Sequence, residues 1–145
     1  EHIIRSHNKS LLLYHIVCPT KYRRKVFTPN VEKTLVDVCK GISERYELEF
    51  IEIGTDEYHV HFLIQSVPVI SPQRIVQILK SITGREIYAK HEEIKKILWG
   101  GHFWTSGYYI NTVGQFASEE VIRNYVEKQG MKYQQLFSQQ LSLFD

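Results

Sequence analysis

Cysteine is scarce in this chain. Cys18 and Cys39 are the only two in 145 residues. They lie 21 positions apart with no CxxC spacing and none of the density of a disulfide-built scaffold. Reduced thiols in the core of a cytoplasmic protein are the simpler expectation. No apolar run is long enough to span a bilayer, and the chain is expected to carry no signal peptide and to have no membrane role. No internal repeat is present. Charge of one sign is also lacking, because the net value is only +2. What charge asymmetry there is falls at the start: Arg5, Lys9, Lys21, Arg23, Arg24 and Lys25 stand against Glu1 alone up to position 25. Such an excess suits a phosphate backbone, and a solvated loop equally well.

Apolar residues make up 43% and aromatics 12%, enough for a folded core in a single domain. Ser10–Cys18 (SLLLYHIVC) reads as a strand closed by Pro19. Thr28-Pro29 opens a helix in which Val31, Leu35, Val38, Cys39 and Ile42 keep helical spacing to about Tyr46. Leu48–Gly54 and Tyr58–Gln65 read as strands joined by the turn Thr55-Asp56-Glu57, hence antiparallel. Ser71-Pro72 starts a second long helix, with Gly84 as a place where it could bend, and a further helical stretch reaches about Leu98. After Gly100-Gly101 a fourth strand is expected over Tyr108–Val113, and Ser118-Glu119-Glu120 starts a third main helix through Tyr125 to about Gln129. The order β-α-β-β-α-β predicts an α+β fold. It is the ferredoxin-like split β-α-β, an antiparallel sheet with helices on one face, plus a C-terminal helix bearing Tyr125. The other sheet face is left for a partner, a ligand or the appended helix. Residues 1–132 form the domain in this reading, and 133–145 a Gln-rich tail.

His59-Val60-His61 carries the first chemical signal. Alternate side chains of a strand share a face, so both imidazoles project to one side while Val60, Phe62 and Ile64 point into the helix-covered core. Two imidazoles can share a divalent ion but do not complete a site. Taken alone, the pattern is more often a pair of ordinary surface histidines. Tyr125 and Gln129, four apart, occupy one face of the third helix. Gln129 offers a carbonyl oxygen suited to Mg²⁺ or Mn²⁺ beside imidazole, and Tyr125 a phenol able to attack phosphorus. The plainer alternative is a core tyrosine and a solvated glutamine.

These segments together are similar to a known family. His59-Val60-His61 with Phe62-Leu63-Ile64, then Leu98-Trp99 and Phe103-Trp104, then Thr112-Val113-Gly114, then Tyr125-Val126-Glu127-Lys128-Gln129, resemble the single-tyrosine HUH transposases of bacterial and archaeal insertion sequences, the TnpA type. The resemblance spans about Leu12 to Gln129. It implies a metal held by His59, His61 and Gln129, with Mg²⁺ or Mn²⁺ as cofactor, and Tyr125 as the nucleophile that becomes joined to a 5′ phosphate. It also implies single-stranded DNA hairpins as substrate and a homodimer with shared active sites. Gly114, just before the tyrosine helix, would be the hinge for that exchange. Lys21, Tyr22, Arg23 and Arg24 match a basic, aromatic-bearing stretch expected to contact DNA. Lys80 and Arg85 on the second helix are ordinary helix charges first.

One position departs from the family pattern. Tyr58 stands where the family often places Asp or Asn before the first histidine, and Asp56 is the nearest candidate to support the imidazoles from behind. The tail ends Gln140-Leu141-Ser142-Leu143-Phe144, similar to the short peptides with which bacterial replication proteins bind the sliding clamp; docking on its own domain is the alternative. The expected activity is DNA transposition in the cytoplasm, at the nucleoid. The alternatives are a domesticated hairpin-processing enzyme, a replication-initiator-like nickase of the same superfamily, and a non-catalytic single-stranded nucleic-acid-binding module. The last lacks an RRM's aromatic motif and leaves the histidines unexplained.

Overall fold

The computed structural model describes residues 12–20, 26–56, 59–98, 102–114 and 134–138. Strand β1 runs Leu12–Pro19. Helix α1, Pro29–Arg45, begins where expected: the hydroxyl of Thr28 accepts the Val31 N–H at 3.3 Å, Pro29 occupies the first turn, and Glu32 and Arg45 complement the two ends of the helix dipole. Its buried stripe is Val31, Leu35, Val38, Cys39 and Ile42, the residues that the spacing selected. Strands β2, Leu48–Thr55, and β3, His59–Ser66, form an antiparallel pair with a bulge between Phe50 and Glu52. Helix α2, Pro72–Lys90, is capped by Ser71, whose hydroxyl accepts the Arg74 N–H at 3.1 Å. It continues through Gly84 without a break. A short α3, Glu92–Ile97, precedes β4, Tyr109–Gly114.

The sheet order is β4-β1-β3-β2-β5, every neighbouring pair antiparallel. Its first four strands have the split β-α-β arrangement: β3 is inserted between β1 and β2, which α1 connects. The fifth strand, β5, Gln134–Ser138, joins the outer edge of β2. It occupies the start of the segment read from sequence as a tail. Residues 140–144, which carry the clamp-like peptide, lie outside the described residues.

One sheet face packs Tyr14, Ile16, Cys18, Phe50, Ile53, Val60, Phe62 and Ile64 against α1 and α2. Phe103 and Trp104 close this core. Their rings meet edge to face at 4.9 Å, and Trp104 meets Phe62 at 6.4 Å. The indole N–H of Trp104 donates to Thr83 Oγ1 at 2.9 Å, and that hydroxyl donates to the Leu79 carbonyl. Both cysteines are free and buried in this core. The second face is not bare, since Leu13, Glu52, Leu63 and Gln65 are also buried. Among the described residues, no helix is long and apolar enough to cross a membrane.

Candidate metal centre

The hairpin between β2 and β3 builds the site. Its turn is closed by Asp56 N–H donating to the His59 carbonyl at 3.0 Å. The Asp56 carboxylate then folds back over β3. Oδ1 accepts the His59 backbone N–H at 2.8 Å and lies 3.0 Å from His59 Nδ1. Oδ2 lies 2.7 Å from His61 Nε2. Register explains why His61 is within reach: its partner on β2 is Gly54, which carries no side chain on that face. The two imidazoles project to the same side, as the alternation requires, with ring centroids 6.2 Å apart. Ligand atoms of Asp56, His59 and His61 all fall within 4.8 Å of one another. Exposure falls from 41% for the His59 side chain through 33% for Asp56 to 14% for His61, so the cluster opens toward His59. Two imidazole nitrogens and a carboxylate form a donor set able to hold a divalent metal ion.

Asp56 is therefore closer to the histidines than its expected supporting part demanded. It bridges both rings and is itself able to ligate. A further histidine completes the arrangement. His15 on β1 pairs across the ladder with Leu63, and Val17 pairs with His61, so His15 and His61 are diagonal neighbours on one face. Their rings stack, with centroids 5.3 Å apart and planes at 20°, and His15 Nε2 lies 3.2 Å from His61 Nδ1. Sequence reasoning missed His15. The available signal was a polar residue in β1 on the same alternation as Leu13 and Val17, opposite to the core residues Tyr14, Ile16 and Cys18.

Of the other expected site residues, Gly114 is the last residue of β4. Tyr125 and Gln129, the basic stretch Lys21, Tyr22, Arg23 and Arg24, and Tyr58 lie outside the described residues. Lys80 ties α2 to the chain before β4. Its ammonium donates to the carbonyls of Thr105 at 2.9 Å and Gly107 at 2.6 Å and sits over the Tyr108 ring. Burial lowers its pKa, and the neighbouring Cys18 opposes that shift. A groove of about 770 Å³ beside it, lined by Arg74, Arg85, Tyr88, Trp104 and Tyr108 among others, includes none of the three clustered residues.

The chain is similar to known transposases. The family model described as "Transposase IS200 like" matches residues 8–129. The chain is 31% identical over 118 residues to the ISDra2 transposase TnpA of Deinococcus radiodurans, covering 81% of this chain and 84% of that protein. It is 26% identical over 124 residues to the transposase for insertion sequence element IS200 of Salmonella typhimurium, covering 86% and 80%. A crystal structure described as a transposase from Deinococcus radiodurans R1 superposes with a TM-score of 0.67 at 27% identity, over 86% of this chain and 95% of that one. The match covers His15, Asp56, His59 and His61, and the chain belongs to the IS200-like transposase family.

Proposed function

We propose that this transposase cuts and rejoins single-stranded DNA at hairpin-marked ends, with Tyr125 as nucleophile and a divalent metal, Mg²⁺ or Mn²⁺, held by His59, His61 and Gln129, with Asp56 beside them. The observation that carries the proposal is the convergence of Asp56, His59 and His61 on one sheet face of a chain in this family. When bound, the cation supplies charge stabilisation to the phosphate undergoing displacement. The chain supplies the rest. Tyr125 Oη forms a bond to phosphorus and the bond to the 3′ oxygen breaks. This leaves a 5′-phosphotyrosine and a strand ending in 3′-OH, the phenolic proton being made up at the departing oxygen. Attack by a 3′-OH on the phosphotyrosine reverses the step and releases the tyrosine. Bond energy is kept in the covalent link, so no nucleotide cofactor is required. Lys21, Tyr22, Arg23 and Arg24 are proposed to hold the strand through phosphate contacts and stacking.

The test is a covalent adduct. Incubated with single-stranded DNA bearing the hairpins of its own element and Mn²⁺, the protein yields a denaturation-resistant protein–DNA species. The species is absent with chelator and in Tyr125→Phe. An adduct that persists in Tyr125→Phe removes the tyrosine from its role.

A homodimer with shared sites belongs to the same proposal. It is supported by the edge position of β4 and the exposure of Tyr108 and Tyr109 there. Mixing Tyr125→Phe with His61→Ala subunits restores cleavage if one subunit's tyrosine serves the other's histidines, with Gly114 as the hinge. No restoration means that each chain is self-contained. Gln140, Leu141, Leu143 and Phe144 are proposed to bind a bacterial sliding clamp. A tail peptide binds purified clamp and loses binding on Leu143→Ala with Phe144→Ala, and equal binding by both peptides rejects this.

A further inference from the structure

We infer that His15 is a positioning residue for the metal centre, and that its ring can partner His61 Nδ1 in either tautomer, including the one whose Nε2 lone pair is free for a cation. The inference rests on the proposed metal role of His61. It starts from two contacts of one ring: Asp56 Oδ2 at 2.7 Å from Nε2, and His15 Nε2 at 3.2 Å from Nδ1. A carboxylate only accepts, so in this arrangement His61 Nε2 carries the proton. With a single ring proton on Nε2, His61 Nδ1 accepts, and His15 Nε2 is the donor to it.

Ligation through Nε2 demands the opposite. The Nε2 lone pair must be free, the ring proton moves to Nδ1, and His15 Nε2 must now accept it. A second imidazole can do this because it exchanges its own donor and acceptor nitrogens without a change of charge. His15 is nine-tenths buried and stacked on His61, so its ring is held in place for either role. An aliphatic side chain at position 15 can neither donate nor accept. It would remove the contact that His15 Nε2 makes with His61 Nδ1. Glutamine can serve both tautomers through its amide nitrogen and oxygen.

The readout is Mn²⁺ binding by calorimetry on the full chain without DNA, beside thermal denaturation. His15→Leu is expected to weaken Mn²⁺ binding by about tenfold to a hundredfold, the usual effect of removing an outer partner of a ligating histidine. His15→Gln is expected to recover most of it. Wild-type affinity in His15→Leu overturns the inference, as does equal weakening in His15→Gln and His15→Leu. Should His15→Leu not fold, long-range ¹H–¹⁵N spectra of the wild type decide. His61 is expected as the Nε2–H tautomer without metal and the Nδ1–H tautomer with Zn²⁺ as a diamagnetic substitute, and an unchanged tautomer overturns the inference. Failure of the underlying metal reading has a separate signature: His61→Ala would bind Mn²⁺ as the wild type does.

Discussion

Asp56 and His59 are joined three times within one turn. The Asp56 N–H donates to the His59 carbonyl, the His59 N–H donates to Asp56 Oδ1, and that same oxygen lies 3.0 Å from His59 Nδ1. The first two bonds close the hairpin and the third aims the imidazole. A single carboxylate thus couples the folding of the β2–β3 turn to the geometry of the candidate metal centre.

Asp56 substitutions should separate these two roles. Asp56→Asn keeps an acceptor oxygen for the backbone N–H, so the turn survives, but it removes the negative charge between the histidines. Mn²⁺ affinity is expected to fall at least about tenfold, with little change in thermal midpoint. Asp56→Ala also leaves the His59 N–H without this acceptor, and should cost about 1–3 kcal/mol of stability besides. Calorimetry and thermal denaturation measure the two effects. Unchanged metal affinity in both variants would remove Asp56 from the centre.

Trp104 and Thr83 supply a stability test remote from the site. The indole N–H is buried and donates to Thr83 Oγ1, itself fully buried. Thr83→Val keeps the volume and removes the acceptor, stranding the indole N–H. A loss of about 1–3 kcal/mol is expected, which lowers the thermal midpoint by about 2–4 °C for each kcal/mol at this chain length. Ser81→Ala, two residues away on the same helix and partly exposed, is the control and should move stability by less than about 0.5 kcal/mol.

Much of this architecture is legible in the chain itself. Thr28-Pro29 and Ser71-Pro72 mark both long helices because hydroxyl caps and proline at the first turn act locally. His59 and His61 share a face because strand periodicity admits no other arrangement. His15 was not legible as part of the site. The split β-α-β arrangement puts β1 beside β3, but the register that sets His15 diagonal to His61 depends on pairing across 46 residues. Strand β5 was hidden for another reason: Gln-Gln-Leu-Phe-Ser has no clean alternation, and it is a strand only because the β2 edge offers unpaired backbone groups. The bridging position of Asp56 depended on the reach of one turn, which residue types alone do not specify.

The buried thiols give a pH dependence. Burial pushes the Cys18 thiol up to about 12, with Lys80 opposing the shift, and holds Cys39 well above its ordinary value of 9.0. Between pH 9 and 12 the folded chain keeps protons that the unfolded chain has released. Stability from Cys18 is therefore complete below about pH 9 and declines as pH rises toward 12, by at most about 1.4 kcal/mol per unit. Denaturant midpoints compared at about pH 8 and about pH 10.5 should fall more steeply for the wild type than for Cys18→Val, whose comparison cancels the titration of lysines and tyrosines. At about pH 8 neither thiol should react with a disulfide reagent until the chain is unfolded.

Strand β5 guards the edge of β2, the strand that leads directly into Asp56. Gly54 and Thr55 pair with Gln135 and Gln134, Ile53 pairs with Phe137, and the side-chain amide of Gln135 donates to the buried carboxylate of Glu52. Leu136 and Phe137 also pack against the main core, and Lys40 lies over the Phe137 ring. Gln135→Leu removes one of the bonds to Glu52 and should cost about 1.5–3 kcal/mol, the range for hydrogen bonds to charged groups. Deleting residues 134–145 removes the whole strand and leaves a row of unpaired backbone groups on β2. That variant should be less stable than Gln135→Leu by denaturant titration and should show concentration-dependent association beyond that of the full chain by light scattering. It should also bind Mn²⁺ more weakly, because the end of β2 that positions Asp56 has lost its outer neighbour. A truncated protein with the oligomeric state and stability of the full chain would show that β5 contributes nothing to the sheet.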